Sequence, residues 1–126
     1  MRLIFGGQFQ GKYAFAQEKF PCNYLNGKNC NFDDVFTCEG IYNFENFVKN
    51  AVKNNLDLSN FIVRLTNENP NIIIVCSEVG GGVVPLDPFE RVYRENVGRL
   101  CTQIAQFSSE VYRVTCGIAT CIKSKG

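Results

Sequence analysis

The stretch "NIIIVCSEV", Asn71 to Val79, constrains the fold more than any other part of the chain. It follows Pro70 as an unbroken apolar run, too short for a helix and without the alternation of a half-buried strand. Such a run needs cover on both faces, which is the situation of a central strand in a parallel sheet. The remaining segments supply the cover. From Asn43, "NFENFVKNAVKNN" places Phe44, Phe47, Val48 and Ala51 on one helical face with Asn43 as cap, and "LSNFIVRLTNEN" repeats the pattern with Leu58, Phe61, Ile62 and Leu65. A third helix starts at Asp87, with Pro88 in its first turn and Glu90 three residues after the cap as in a capping box. Its apolar stripe is Leu86, Phe89, Tyr93, Val97, Leu100 and Ile104, and it runs to about Phe107.

The N-terminus has the same logic in shorter form. "RLIF" is an apolar run ended by Gly6-Gly7, and "YAFAQEKF" is a helix stopped by Pro21. At the other end "EVYRVTC" alternates, Gly117 interrupts, and "IATCIKS" forms a final strand. The stretch from Pro21 to Ile41 is the least legible: Asn26-Gly27 is a turn signal between short strands or a short helix. Strands separated by helices predict an α/β protein with a mainly parallel sheet flanked by helices, whose ligands sit at the carboxyl ends of the strands.

A chain of 126 residues, 45% hydrophobic and 20% charged, suits one globular domain spanning residues 1–126. Its net charge of +1 gives no field to draw it onto nucleic acid or an anionic membrane. No run resembles a signal peptide or a membrane span, so a cytoplasmic location is expected. Seven cysteines, an odd number with no C-x-x-C spacing, read as buried free thiols, with redox sensing or metal binding left as alternatives. The absence of histidine is decisive for chemistry. It excludes histidine nucleophiles and Ser-His or Cys-His catalysis, leaving acid–base work to Asp, Glu, Lys, Cys or water.

Two loops carry candidate chemistry. In "FGGQFQGKY", the segment Gly6, Gly7, Gln8, Phe9, Gln10, Gly11, Lys12 and Tyr13 has the glycine-lysine spacing of a phosphate-binding loop between a strand and a helix. Inward amides and the helix N-terminus would hold phosphate oxygens, and Lys12 would add charge as the catalytic residue. A plain glycine turn is the competing explanation. Tyr13 stands where a serine or threonine ligates Mg²⁺, and its phenol oxygen lies too far out to substitute. Either water or another residue completes the metal shell, or phosphate binds with weakened magnesium dependence, or transfer has been lost. In the second loop, "SEVGGGVVP", Glu78 meets three glycines at a strand end; it either contacts ribose, base or hydrated metal, or caps backbone donors. Arg91, Arg94 and Arg99 follow, as phosphate contacts or as a solvated helix face.

Together the loops resemble the adenosylcobinamide kinase / adenosylcobinamide-phosphate guanylyltransferase family of cobalamin biosynthesis. The chain keeps Glu78, Val79, Gly80, Gly82, Val84, Pro85, Arg91, Tyr93, Arg94, Gly98, Gln103, Ala105, Val111, Gly117, Ile118 and Lys123 of that family's C-terminal pattern. "FGGQFQGKYAFA" is similar to its T-G-G-x-x-S-G-K-S-x-x-A, and "FTCEG" to a T-A-E segment, making Glu39 a nucleotide ligand by resemblance. The resemblance covers about the first eighteen residues and the last fifty-five. It implies a three-layer P-loop-type fold, binding of ATP or GTP, phosphorylation of a cobinamide-type corrinoid, and a homo-oligomer, with Glu78 and Arg94 as second-loop contacts. Departures limit it: Ser77, Glu95 and Cys101 replace Asn, Asp and Asn, and neither the guanylylated histidine nor a strand with a magnesium-supporting acidic end is visible. The expected function is therefore nucleotide binding with a residual kinase activity, the alternative being a non-catalytic binding, regulatory or oligomeric module.

Overall fold

In the computed structural model, which describes residues 1–79 and 87–124, the apolar run forms a strand, Ile73–Ser77, whose five residues are all buried. Numbered along the chain it is β4, after β1 (Arg2–Gly6), β2 (Tyr24–Asn26) and β3 (Gly40–Tyr42), and before β5 (Glu110–Thr115) and β6 (Ile118–Ser124). The described strands make one six-stranded sheet in the order β2-β3-β4-β1-β5-β6. β4 is central, paired in parallel with β1 (Ile4 opposite Val75) and with β3 (Ile41 opposite Ile74). β1 also pairs in parallel with β5, and the antiparallel β6 closes that edge through a two-residue turn.

The helices are α1 (Lys12–Lys19), α2 (Phe44–Lys53), α3 (Phe61–Glu68) and α4 (Pro88–Phe107). α2, α3 and α4 cover one face; the α2 and α3 stripes and Tyr93, Val97, Leu100 and Ile104 of α4 are buried together with Leu3, Ile41, Ile72, Ile74 and Cys76, while Phe89 is only half-buried. Phe32, Phe36, Phe44, Phe47 and Phe61 meet in that layer with ring centroids 5.4–6.1 Å apart. α1 covers the other face, over Ile4, Ile73, Val75, Tyr112 and Val114. The architecture is the three-layer α/β arrangement expected of a P-loop-type fold.

Several local expectations change in detail. Asn26-Gly27 does lie at a turn between short elements, β2 and a 3-10 segment, Phe32–Phe36, and it closes no hairpin because β2 and β3 run parallel. Gly27 is required instead for close approach: its amide donates to the Tyr42 carbonyl (2.8 Å), and a Cβ there would strike the Asn43 carbonyl. Asn43 precedes α2 in a left-handed conformation (φ 55°), but its side chain donates to Asn26 Oδ1 (3.0 Å) and caps nothing. Asp87 does cap α4, accepting from Phe89 N (2.8 Å), while Glu90 turns its carboxylate to Lys49 and Arg94. The seven cysteines are free thiols as expected, but only Cys76 is buried: Cys22, Cys30, Cys38 and Cys101 are half-buried, and Cys116 and Cys121, on the last hairpin, are exposed. Leu86 and Gly80 to Pro85, including the second glycine run, lie outside the described residues.

Candidate phosphate-loop site

The first glycine loop joins the carboxyl end of β1 to the start of α1, beside the carboxyl end of β4. Its shape follows from a few backbone requirements. At Gly6 a Cβ would run into the Val114 carbonyl on β5, and the Gly6 carbonyl accepts from Glu78 N (2.8 Å), which ties the two loops together. Gly11, at the N-cap of α1, takes a left-handed φ of 86° that a side chain would strain. Its carbonyl accepts from Phe15 N (3.0 Å), closing the first turn. Gln10 accepts twice from the β5–β6 turn, at its main-chain oxygen from Gly117 N (2.9 Å) and at Oε1 from Cys116 N (2.5 Å).

Lys12 is only 8% exposed, and its ammonium donates to the Gly7 carbonyl across the loop (2.7 Å). Burial lowers its pKa, partly offset by the negative charge of Glu45 and, more weakly, of Glu78. Glu45 is the residue that sequence reasoning missed. It sits in the first turn of α2, is 5% exposed, and accepts from the backbone N of Ser77 through Oε1 (2.9 Å) and from Asn46 Nδ2 through Oε2 (3.0 Å). An acidic residue in a helix's first turn is ordinary, so no signal in the sequence set it apart; only the packing of α2 on β4 brings it to the loop.

A hollow of about 180 Å³ lies between the loop and the sheet, lined by Phe9, Gly11, Lys12, Tyr13, Tyr42, Glu45 and Ser77. Glu45 also lines a neighbouring cleft of about 510 Å³ that runs past Gly7, Gln8, Lys49 and Glu78 to Tyr93 and Arg94 on α4. Glu45 is thus shared by both hollows. A carboxylate oxygen carries two acceptor sites, and among the described residues each Glu45 oxygen takes one hydrogen bond. Mg²⁺ is commonly held by one or two carboxylates together with substrate phosphates and water. The donors present fit such an ion, with Glu45 as the residue that would hold it.

The other expected residues divide. Gly6, Gly7, Gln8, Phe9, Gln10, Gly11 and Lys12 are brought together in one loop, with Phe9 wholly exposed. Tyr13 turns to the sheet edge, stacked on Tyr42 at 3.9 Å with the planes 6° apart and edge-on to Tyr24. Glu78 lies at the mouth of the larger cleft and pairs with Arg113 (3.4 Å). Arg94 lines the same cleft and faces Glu90 (3.7 Å). Glu39 is the exception. It precedes β3, its carbonyl accepting from Ile73 N at the start of β4, so the structure places it at the amino edge of the sheet, opposite the loop. No helix is long and apolar enough to cross a membrane, and no group of three or more His, Cys, Asp or Glu is arranged to hold a metal by itself, among the described residues.

A parallel sheet with a glycine loop and buried lysine between its first strand and first helix defines a P-loop-type α/β protein. The family follows from comparison with known proteins. Residues 33–122 match the model of the cobinamide kinase / cobinamide phosphate guanyltransferase family, and the chain belongs to that family. The match begins after the glycine loop. The chain is also 32% identical over 69 residues to the bifunctional adenosylcobalamin biosynthesis protein CobU of Escherichia coli (strain K12). That alignment covers 55% of this chain and 38% of the relative, so the chain spans well under half of the protein it matches.

Proposed function

We propose that residues 1–126 form one nucleotide-binding unit that takes ATP or GTP and passes its γ-phosphoryl group to a hydroxyl of a cobinamide-type corrinoid. The observation that carries this reading is the convergence of the buried Lys12, the first loop and the buried Glu45 at the carboxyl ends of β1 and β4. Family membership supplies the substrate classes. The cytoplasm as location and a homo-oligomeric assembly belong to the same proposal.

In this reading the loop amides and the Lys12 ammonium bind the phosphates, Lys12 exchanging its Gly7 carbonyl for phosphate oxygen. A hydroxyl oxygen bonds to the γ-phosphorus as the bond to the β,γ-bridging oxygen breaks, and the hydroxyl proton leaves to solvent. The chain contributes position and fixed charge, which is most of what phosphoryl transfer needs. Mg²⁺, where bound, neutralises the charge that builds on the phosphate oxygens. Arg94 and Lys49 line the cleft along which the acceptor would approach. A guanylyl relay through histidine has no residue here to run on, since the chain contains none.

Calorimetric titration with ATP and with GTP, with and without Mg²⁺, tests binding; incubation with adenosylcobinamide and mass spectrometry of the corrinoid tests transfer. No binding of either nucleotide at millimolar concentration would sink the proposal. The Tyr13–Tyr42 stack, which removes the usual hydroxyl from the metal side, favours a second reading in which nucleotide is held without turnover. Binding with no gain of phosphate on the corrinoid would select it.

A further inference from the structure

We infer that Gln10 is a positioning residue, which holds the phosphate loop in its binding shape by clamping it to the β5–β6 turn; this rests on the function proposed above. Phe9, immediately before it, is in the left-handed region (φ 59°), where a residue with a Cβ is strained by about 1–2 kcal/mol. Such strain persists only where the surroundings impose it. Phe9 cannot offset it by packing, because the residue is 100% exposed. The constraint therefore has to come from its neighbours, and Gln10 supplies it.

The geometry is specific. Cys116 (φ 51°) and Gly117 (φ 75°) form a tight hairpin turn of the kind with two left-handed residues. Both of its amides donate to Gln10, one to the main chain and one to the side chain. The turn is a firm anchor, since β5 is paired to β1 on one side and β6 on the other. Gly11 then packs so closely that a Cβ on it would lie 3.4 Å from Gly117 Cα. The side-chain oxygen of glutamine is three bonds beyond Cβ and reaches Cys116 N; serine or alanine at this position keeps only the main-chain link. Gln10 thus fixes the residues on both sides of itself, strained Phe9 before it and left-handed Gly11 after it, and through them the direction of the loop amides.

A cycle of Gln10→Ala, Phe9→Gly and the double variant tests this, read by amide exchange in the unliganded protein and by calorimetry with ATP and GTP in Mg²⁺. Gln10→Ala should speed exchange at Cys116 and across residues 9–12, and weaken nucleotide binding by about tenfold, the scale of one net hydrogen bond. Phe9→Gly alone should raise affinity, because glycine removes the strain that the clamp has to hold. The double variant should recover most of the loss, because glycine takes the left-handed shape without strain. A double variant as weak as Gln10→Ala would mean that Gln10 acts by touching the nucleotide, and would overturn the positioning role. Unchanged exchange in Gln10→Ala would overturn it as well. If the unsubstituted chain binds neither nucleotide, the proposed function fails, and the exchange comparison alone decides whether Gln10 orders the loop.

Discussion

The two faces of the sheet are built differently. One carries three helices and a layer of five phenylalanines with Phe44 fully buried. The other carries, among the described residues, only the eight-residue α1, over a smaller cluster edged with half-buried tyrosines. The first glycine loop belongs to the thin face, through α1. Glu45 belongs to the thick face, reaching over the end of β4 from α2. Stability is thus unequally shared, because the thick layer fixes the sheet, while the candidate site draws on both faces: the smaller hollow opens beside α1, and the larger cleft runs along α2 and α4.

If this division holds, its largest signature is thermodynamic. Phe44→Ala should cost about 3–5 kcal/mol, seen in denaturant unfolding, whereas Tyr13→Ala on the thin face should cost about 1–2 kcal/mol. Equal losses would break the contrast. Next in size, Lys12→Met should weaken ATP and GTP binding by at least tenfold while changing stability by less than about 1 kcal/mol, since a desolvated charge is removed along with its hydrogen bond to Gly7. A large fall in stability would make Lys12 a structural residue instead.

Glu45→Gln sharpens the comparison from the other side. It should remove most of the Mg²⁺-dependent gain in nucleotide affinity while leaving Mg²⁺-free binding equal or slightly stronger, because one negative charge near the phosphates disappears. Calorimetry with and without Mg²⁺ reads both quantities. An unchanged Mg²⁺ dependence would remove Glu45 from the site.

The smallest effect is in pH. Lys12 has a folded-state pKa below its ordinary 10.5, chiefly through burial. The unfolded chain therefore binds the proton more tightly, so between the lowered value and 10.5 the unliganded fold gains stability as pH rises. Nucleotide binding has the opposite sign, because the phosphates need the ammonium: affinity falls as pH rises through the lowered value, and proton uptake accompanies binding there. Lys12→Met should abolish both slopes, and a binding slope that survives the substitution would point to another group.

Much of this was legible in the residues. The central strand, the stripes of α2, α3 and α4, and the strand–loop–helix at the N-terminus rest on runs and spacings that the chain carries locally. The parallel pairing of β2 with β3 was not, because Asn26-Gly27 is the usual signal of a hairpin and nothing nearby shows that a 3-10 segment intervenes. Glu39 was assigned from a short resemblance, but pairing at the start of β3 carries it to the far edge of the sheet.

What the sequence alone determined is the set of parts: the strands and helices of an α/β sheet, a glycine loop with a lysine at its end between the first strand and the first helix, a tyrosine after that lysine, and no histidine. Local chemistry suffices for these, since glycine freedom, helical period and unbroken apolar runs act over a few residues. The tertiary structure alone decided which parts meet. Burying α2 against β4 set the Glu45 carboxylate beside Lys12, and pairing β5 between β1 and β6 brought the Cys116-Gly117 turn to Gln10. Those meetings join residues separated by 33 and 106 positions (12 to 45, 10 to 116), and only the packing of the sheet brings such distant segments together.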